Sequence, residues 1–222
     1  MEDNYYLFQG AKKSLIRWLA DNGITDTGVL RAFDVIERHQ FIEDHFLQQK
    51  AYENMPLPIA CDQTISQPIT VAFQSQLLQI KTGDKVLEIG TGSGFQASIL
   101  AAMGAKVFTV ERQIELFRKT RILLNKLKIE NVKQHYGDGF LGLPQQAPFD
   151  KIIVTCGAPN VPTSLLQQLK TGGILIIPVG DNIQDMKRIT KISDAEYKEE
   201  TFGQFQFVPM LENLVKVNQS YF

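Results

Sequence analysis

The chain has 222 residues, 44% of them hydrophobic and 21% charged, with a formal net charge of −1. That length can bury a full core in one large domain, and the balance of 23 Lys and Arg against 24 Asp and Glu lacks the basic excess of a nucleic-acid binder. No apolar run reaches the roughly 18 residues that span a bilayer, and the start MEDNYYLFQG lacks the basic and apolar parts of a signal peptide.

In chain order, residues 9–20 read as an amphipathic helix with Leu15, Ile16 and Leu19 inward, ended by Asn22-Gly23. Thr25, Asp26 or Thr27 suits the cap of a second helix, where Val29, Leu30, Phe33 and Ile36 repeat at helical spacing. Residues 1–60 then form an N-terminal flank or lid on a single domain. Arg38 to Asp62 is aromatic and irregular, with Pro56 and Pro58 favouring extended backbone. His39 and His45 have a poor metal spacing and read as structural or surface residues. Pro68 suits the first turn of an apolar helix, Ile69 to Leu78, with Ser66 or Gln67 as its cap. Ser66 therefore sits beside a helix N-terminus, which favours anions; the plainer reading of the spacing is an N-cap serine.

The centre is KVLEIGTGSGFQASILAAMGAKVFTVER, from Lys85 to Arg112. Val86 to Ile89 reads as a buried strand, Gly90 to Gly94 as a glycine turn, and Phe95 to Met103 as a helix. Val107 to Val110 reads as a second strand, closed by Glu111. This is the layout of a mononucleotide-binding half of a doubly wound sheet. Glycines let the backbone approach a ligand, the helix start supplies free N–H groups, and Glu111 suits a ribose diol. A dinucleotide fingerprint needs G-x-G-x-x-G. Here the third glycine comes one residue early, and Glu88 precedes the first by two. E-x-G-x-G-x-G is the S-adenosylmethionine pattern.

Glu115 to Lys128 reads as a helix and Val132 to Tyr136 as the third strand, followed by Gly137-Asp138-Gly139. A carboxylate there can accept from an adenine amino group, or be an ordinary turn aspartate. Phe149 to Thr155 is the fourth strand. Its loop, Cys156 to Pro159, falls at the carboxyl edge of the sheet, where ligands bind. Pro162 to Leu169 reads as a helix and Ile174 to Val179 as the fifth strand. Met186 to Ile192 and Phe202 to Val208 read as antiparallel closing strands. Cys61 and Cys156 fit no metal pattern and read as reduced thiols of a cytoplasmic protein.

On AYENMPLPI, DQTISQP, VLEIGTGSGFQA, GDG and FDKIIVTCGAP through LLQQLKTGG to IPVG, the chain resembles the protein-L-isoaspartate O-methyltransferases from about Val29 to Pro209. The resemblance implies a three-layer α/β/α fold with a mostly parallel seven-stranded sheet. It implies methyl transfer from S-adenosylmethionine to the free carboxylate of L-isoaspartyl residues in proteins and peptides, releasing S-adenosylhomocysteine. It makes Ser66 the active-site residue, flanked by Gln63 and Ile65 as substrate contacts. It makes Glu88, Gly90, Thr91, Gly92, Ser93 and Gly94 the cofactor loop, Glu111 the ribose acid, and Asp138 with Gly139 the adenine end. Backbone near Ile65 and Val208 suits a bound peptide by strand addition. Ala60-Cys61-Asp62 departs from a glycine-containing stretch in many members, and Glu43 replaces a frequent proline. A monomer with no metal is expected. A nucleic-acid methylase is disfavoured because the fourth-strand loop lacks an N/D-P-P-Y/F motif and neither cysteine follows proline. A binding module that only retains the cofactor fold would gain support from a broken Ser66 or glycine loop, and both are intact.

Overall fold

A computed structural model describes residues 2–215. Its centre is β3 (Lys85–Ile89), in which Val86, Leu87, Glu88 and Ile89 are all buried. Burial on both faces marks an interior parallel strand. β3 lies between β4 (Lys106–Glu111) and β6 (Phe149–Val154), parallel to both. β5 (Val132–Tyr136) adds parallel outside β4, and β7 (Leu169–Val179) adds parallel outside β6. β8 (Gln184–Lys191) and β9 (Tyr197–Phe205) complete the other edge as antiparallel strands. The seven-stranded order is β5-β4-β3-β6-β7-β8-β9.

Helices cover both faces. α4 (Pro68–Leu78) and α5 (Phe95–Ala102) bury Leu77, Leu78, Ala97 and Leu100 against Val86, Val107, Ile153 and Ile176. α6 (Ile114–Lys126) follows β4 and buries Leu116 and Leu124. On the other face, α7 (Thr163–Gln167) buries Leu165 against Leu87, Ile152, Val154 and Leu175. The N-terminal flank is α1 (Glu2–Asp21), α2 (Thr27–Val35), a 3-10 turn (Arg38–Phe41) and the short α3 (His45–Gln48). It shares a core with the sheet-covering helices: Leu19, Val29, Phe33 and Phe41 join Val71, Phe95, Ile99 and Leu124. Asp26 is the cap of α2, accepting from the Gly28 and Val29 amides.

Several boundaries differ from the sequence-based expectation. α1 begins at Glu2, well before residue 9, since nothing in EDNYYLF breaks a helix. Pro58 sits inside β1 (Leu57–Ile59), which pairs antiparallel with β2 (Gln63–Ile65). This hairpin crosses residue 60, where the flank was expected to end. Its turn holds Cys61 at φ 59° and Asp62 at φ 54°, left-handed backbone that a Cβ makes unfavourable. β7 begins at Leu169 because Lys170 to Gly173 forms an irregularity in its pairing with β6. β9 lies earlier than Phe202 to Val208; its charged stretch YKEE pairs with β8 at an exposed edge and carries no apolar pattern.

Glu88 is the anomaly of β3. It is fully buried, and neither carboxyl oxygen has a hydrogen-bond partner among the described residues. Burial pushes its pKa up to about 8, and the nearby Glu111 adds to it; the Thr109 hydroxyl and Ala97 amide lie near enough to offset this in part without reaching hydrogen-bond geometry. The native state therefore keeps the proton up to about pH 8, whereas the unfolded chain releases it near 4.5. Native protein binds more protons across that window, so its stability falls as pH rises through it. Each pKa unit corresponds to ~1.4 kcal/mol. Glu88→Gln should remove this loss. Urea unfolding should show the variant gaining on wild type by a few kcal/mol between pH 5 and pH 8; a constant difference would show that Glu88 is ionised in the folded protein.

Candidate active site

From β3 the chain moves outward through β4 to β5; from β6 it moves the opposite way to β7. Loops leaving the carboxyl ends of β3 and β6 therefore part, and a crevice opens between them, where open parallel sheets bind ligands. The cavity there is lined by Gly90 to Ser93 after β3, Glu111 to Gln113 from the last residue of β4 onward, and Thr155 and Cys156 after β6. Gln63 to Ser66 close it from the β2 side, and Val208 to Leu211 from the chain's last described stretch.

The glycine turn is built by close packing on one side and openness on the other. A Cβ on Gly90, at φ 99°, would meet the Thr155 hydroxyl at 2.6 Å. That hydroxyl bonds the carbonyls of Ile89 and Gly90 at 2.9 and 2.7 Å, which holds the turn against β6. Gly92, at φ 50°, would meet only Ile59 Cδ1 at 3.7 Å, so its backbone is open to the cavity. The Gly92 carbonyl accepts from Thr120 Oγ1 at 2.6 Å. Its amide donates to Glu111 Oε2 at 2.9 Å, while Glu111 Oε1 accepts from the Gln113 amide at 2.8 Å. Burial raises the Glu111 pKa, and the amides of Gln113 and Gly92 pull it back. Thr91 turns inward to bond Thr109 at 2.6 Å, Ser93 caps the Phe95 amide at 3.3 Å, and Gly94 opens α5 behind the cavity wall.

Two of the expected cofactor carboxylates are placed otherwise. Glu88 lies beneath the turn, outside the cavity lining. Asp138 also lies off it, with Oδ1 accepting from the Phe140 amide at 2.9 Å and Oδ2 from the Asn213 amide at 2.8 Å. Gly139 does line the cavity, and a Cβ there would come within 2.4 Å of Ile89 Cγ2. The segment around Asn213 is strapped down further by Arg112, whose side chain donates to the carbonyls of Glu212 and Asn213.

Ser66 is not the helix cap. Gln67 occupies that position, and the Ile69 amide is satisfied from a distance by Asn54 Oδ1 at 3.0 Å. Nothing among the described residues hydrogen-bonds the Ser66 hydroxyl, and Ser66 lines the cavity together with the glycine turn. Gln63 and Ile65 line the same wall, and Val208 lies on the cavity wall formed by the C-terminal stretch, its carbonyl accepting from the Gly157 amide at 2.8 Å.

The structure adds lining residues that periodicity had hidden, Gln74 on α4 and Gln96 on α5. Both are buried within apolar helices, and Gln96 Oε1 has no partner among the described residues. A buried amide in such a helix is the signal that could have found them. Burial, with Glu111 nearby, pushes the Cys156 thiol up to about 12, so it is no nucleophile at neutral pH. Both cysteines are free. His39 meets Tyr52 and stacks on Phe8, and His45 bonds Gln48. No group of three metal-ligating side chains occurs among the described residues, and no helix among them is long and apolar enough to cross a membrane.

The residues present fit the expected cofactor: a turn with Gly92 open to the cavity, a carboxylate fixed beside it, and an orphaned buried amide oxygen on Gln96. Comparison with known proteins agrees. A curated relative from Christiangramia forsetii, named protein-L-isoaspartate O-methyltransferase, is 51% identical over 96% of this chain and 99% of its own. One of the same name from Flavobacterium psychrophilum is 51% identical over 92% and 96%. A solved protein-L-isoaspartate O-methyltransferase superposes with a TM-score of 0.84 at 28% identity, over 91% of this chain and 67% of that one. The Plasmodium falciparum structure in complex with S-adenosyl-L-homocysteine gives 0.79 at 25% identity, over 90% and 98%. The family model described as Protein-L-isoaspartate(D-aspartate) O-methyltransferase (PCMT) matches residues 10–215, and the chain belongs to that family.

Proposed function

We propose that this protein repairs damaged proteins and peptides by methylating the free carboxylate of their L-isoaspartyl residues, with S-adenosylmethionine as donor and S-adenosylhomocysteine as product. The observation that carries the reading is one cavity lined jointly by Ser66 and the glycine turn. The donor, when bound, supplies a methyl group on a positive sulfonium. The acceptor is an aspartyl-type acid with a reference pKa near 4, so it is already ionised at neutral pH and needs no general base. The protein's task is to hold, align and exclude water.

In this reading the Ser66 hydroxyl, which no described residue engages, donates to the acceptor carboxylate and orients it. Glu111 holds the Gly92 amide, and each of its oxygens retains a second lone pair for a ribose hydroxyl. Gly139 walls the adenine end; Asp138 and Glu88 support the site from behind through the strap and β3. A peptide lies along Gln63 and Ile65, with Val208 on the cavity wall formed by the C-terminal stretch; backbone pairing there accepts many sequences. The near-balanced charge and the two free thiols support a cytoplasmic protein that acts on proteins and not on nucleic acid. It works as a monomer, with the described residues 2–215 forming one domain.

One peptide synthesised with either L-isoaspartate or L-aspartate tests the activity. The first should be methylated and the second left nearly untouched; equal labelling, or none, contradicts the assignment. Glu111→Ala should weaken S-adenosylmethionine binding by about 2 kcal/mol, the range for hydrogen bonds to a charged group. Calorimetry showing unchanged affinity would remove Glu111 from the site. Ser66→Ala should leave melting temperature and cofactor affinity near wild type, since the hydroxyl supports no structure. Methyl transfer should fall ~10²-fold, the scale of loss for a misplaced reactant, with an unaltered pH–rate profile near neutrality. Near wild-type turnover would take Ser66 out of the mechanism.

A further inference from the structure

The 3-10 turn before the hairpin buries a cation. Arg38 is 1% exposed. Its Nη1 donates to the Ala51 carbonyl, and its Nη2 donates to the carbonyls of Met55 at 3.2 Å and Ser66 at 3.1 Å. The guanidinium carbon lies 5.8 Å from the centre of the Phe95 ring. No carboxylate among the described residues forms an ion pair with it. Glu37, its neighbour in the chain, is engaged elsewhere, by Lys12 and Gln9 on Oε1 and Tyr52 on Oε2. Burial lowers the guanidinium to about 10, so it remains charged at neutral pH.

A buried cation without a counter-ion is unfavourable. What this one achieves is geometric. Ala51 and Met55 precede β1, Ser66 joins β2 to α4, and Phe95 opens α5 directly after the glycine turn. One rigid fork thus ties the acceptor wall of the cavity to the cofactor wall. Only a planar guanidinium has enough fixed donors for three carbonyls at once; an ammonium is a point charge with no fork.

We propose that Arg38 is a positioning residue for methyl transfer, holding the Ser66 peptide so that the Ser66 hydroxyl meets the acceptor carboxylate. This rests on the reading of Ser66 given above. No hydrogen bond from the described residues fixes that hydroxyl, so its placement depends on its backbone, and the described backbone contact from outside is the bond from Arg38 to the Ser66 carbonyl.

The test is a double-mutant cycle of Arg38→Lys and Ser66→Ala. Rates on the isoaspartyl peptide are normalised to cofactor-binding sites counted by calorimetry, so unfolded chain cannot mimic a loss. Arg38→Lys should lower kcat/KM about tenfold or more, with the dissociation constant for S-adenosylmethionine within about twofold of wild type. In the Ser66→Ala background the same substitution should change kcat/KM by less than about threefold, because nothing remains to position. Losses that simply multiply overturn the proposal. So does a normal kcat/KM in an Arg38→Lys protein with a lowered melting temperature, the signature of a purely structural residue. Wild-type turnover by Ser66→Ala alone is a different result: it overturns the Ser66 reading. If Arg38→Lys does not fold, Arg38→Gln replaces it in the cycle; a chain that folds with neither makes Arg38 structural and also overturns the proposal.

Discussion

Parallel pairing of β3 with both β4 and β6 is the constraint on which the molecule depends. A strand hydrogen-bonded on both edges and covered on both faces can offer a ligand only its end. Its four buried residues, Val86 to Ile89, are accordingly apolar or, at Glu88, uncharged over most of the neutral range. Because the chain leaves β3 and β6 in opposite directions, their carboxyl ends are where backbone is uncovered. The glycine turn, the Glu111 carboxylate and the Thr155 hydroxyl all inherit their positions from that register.

Three acids near the site show how environment, and not residue type, sets chemistry. Glu88 has no partner among the described residues and holds its proton. Glu111, also buried but bound by two amides, keeps an accepting carboxylate beside the cavity. Asp138 spends both oxygens on backbone, one on its own turn and one on the segment at Asn213. Only Glu111 is both on the cavity wall and fixed in direction.

An acceptor that is ionised before it arrives removes the need for an acid–base pair, and the cavity is consistent with that. Its thiol is held neutral, and the one carboxylate on its wall among the described residues is tied to the glycine turn. What remains for the protein is placement. Placement is distributed over parts far apart in the chain: Asn54 on the start of α4, Arg38 on the Ser66 carbonyl, Arg112 on the C-terminal strap. Small errors in any of these shift a reactant, and methyl transfer is sensitive to such shifts.

By itself the sequence determined the parallel core, the glycine turn, the acid closing β4 and the family. These are local properties: a run of buried β-formers, three glycines in five positions, a helix period. The tertiary structure decided what depends on distant residues meeting. It settled the cap of α4, which the sequence left open between Ser66 and Gln67, on Gln67 with help from Asn54, leaving the serine hydroxyl for the cavity. It set Glu88 and Asp138 behind the wall, because strand alternation and a strap from Asn213 turn them away from it. It folded Leu57 to Ile65 into a hairpin with Pro58 inside its first strand, and it brought Arg38 to Ser66 across 28 positions. Periodicity reports which face of an element is buried; it does not report what a buried polar group finds there, and that is decided by the register and crossover of the sheet.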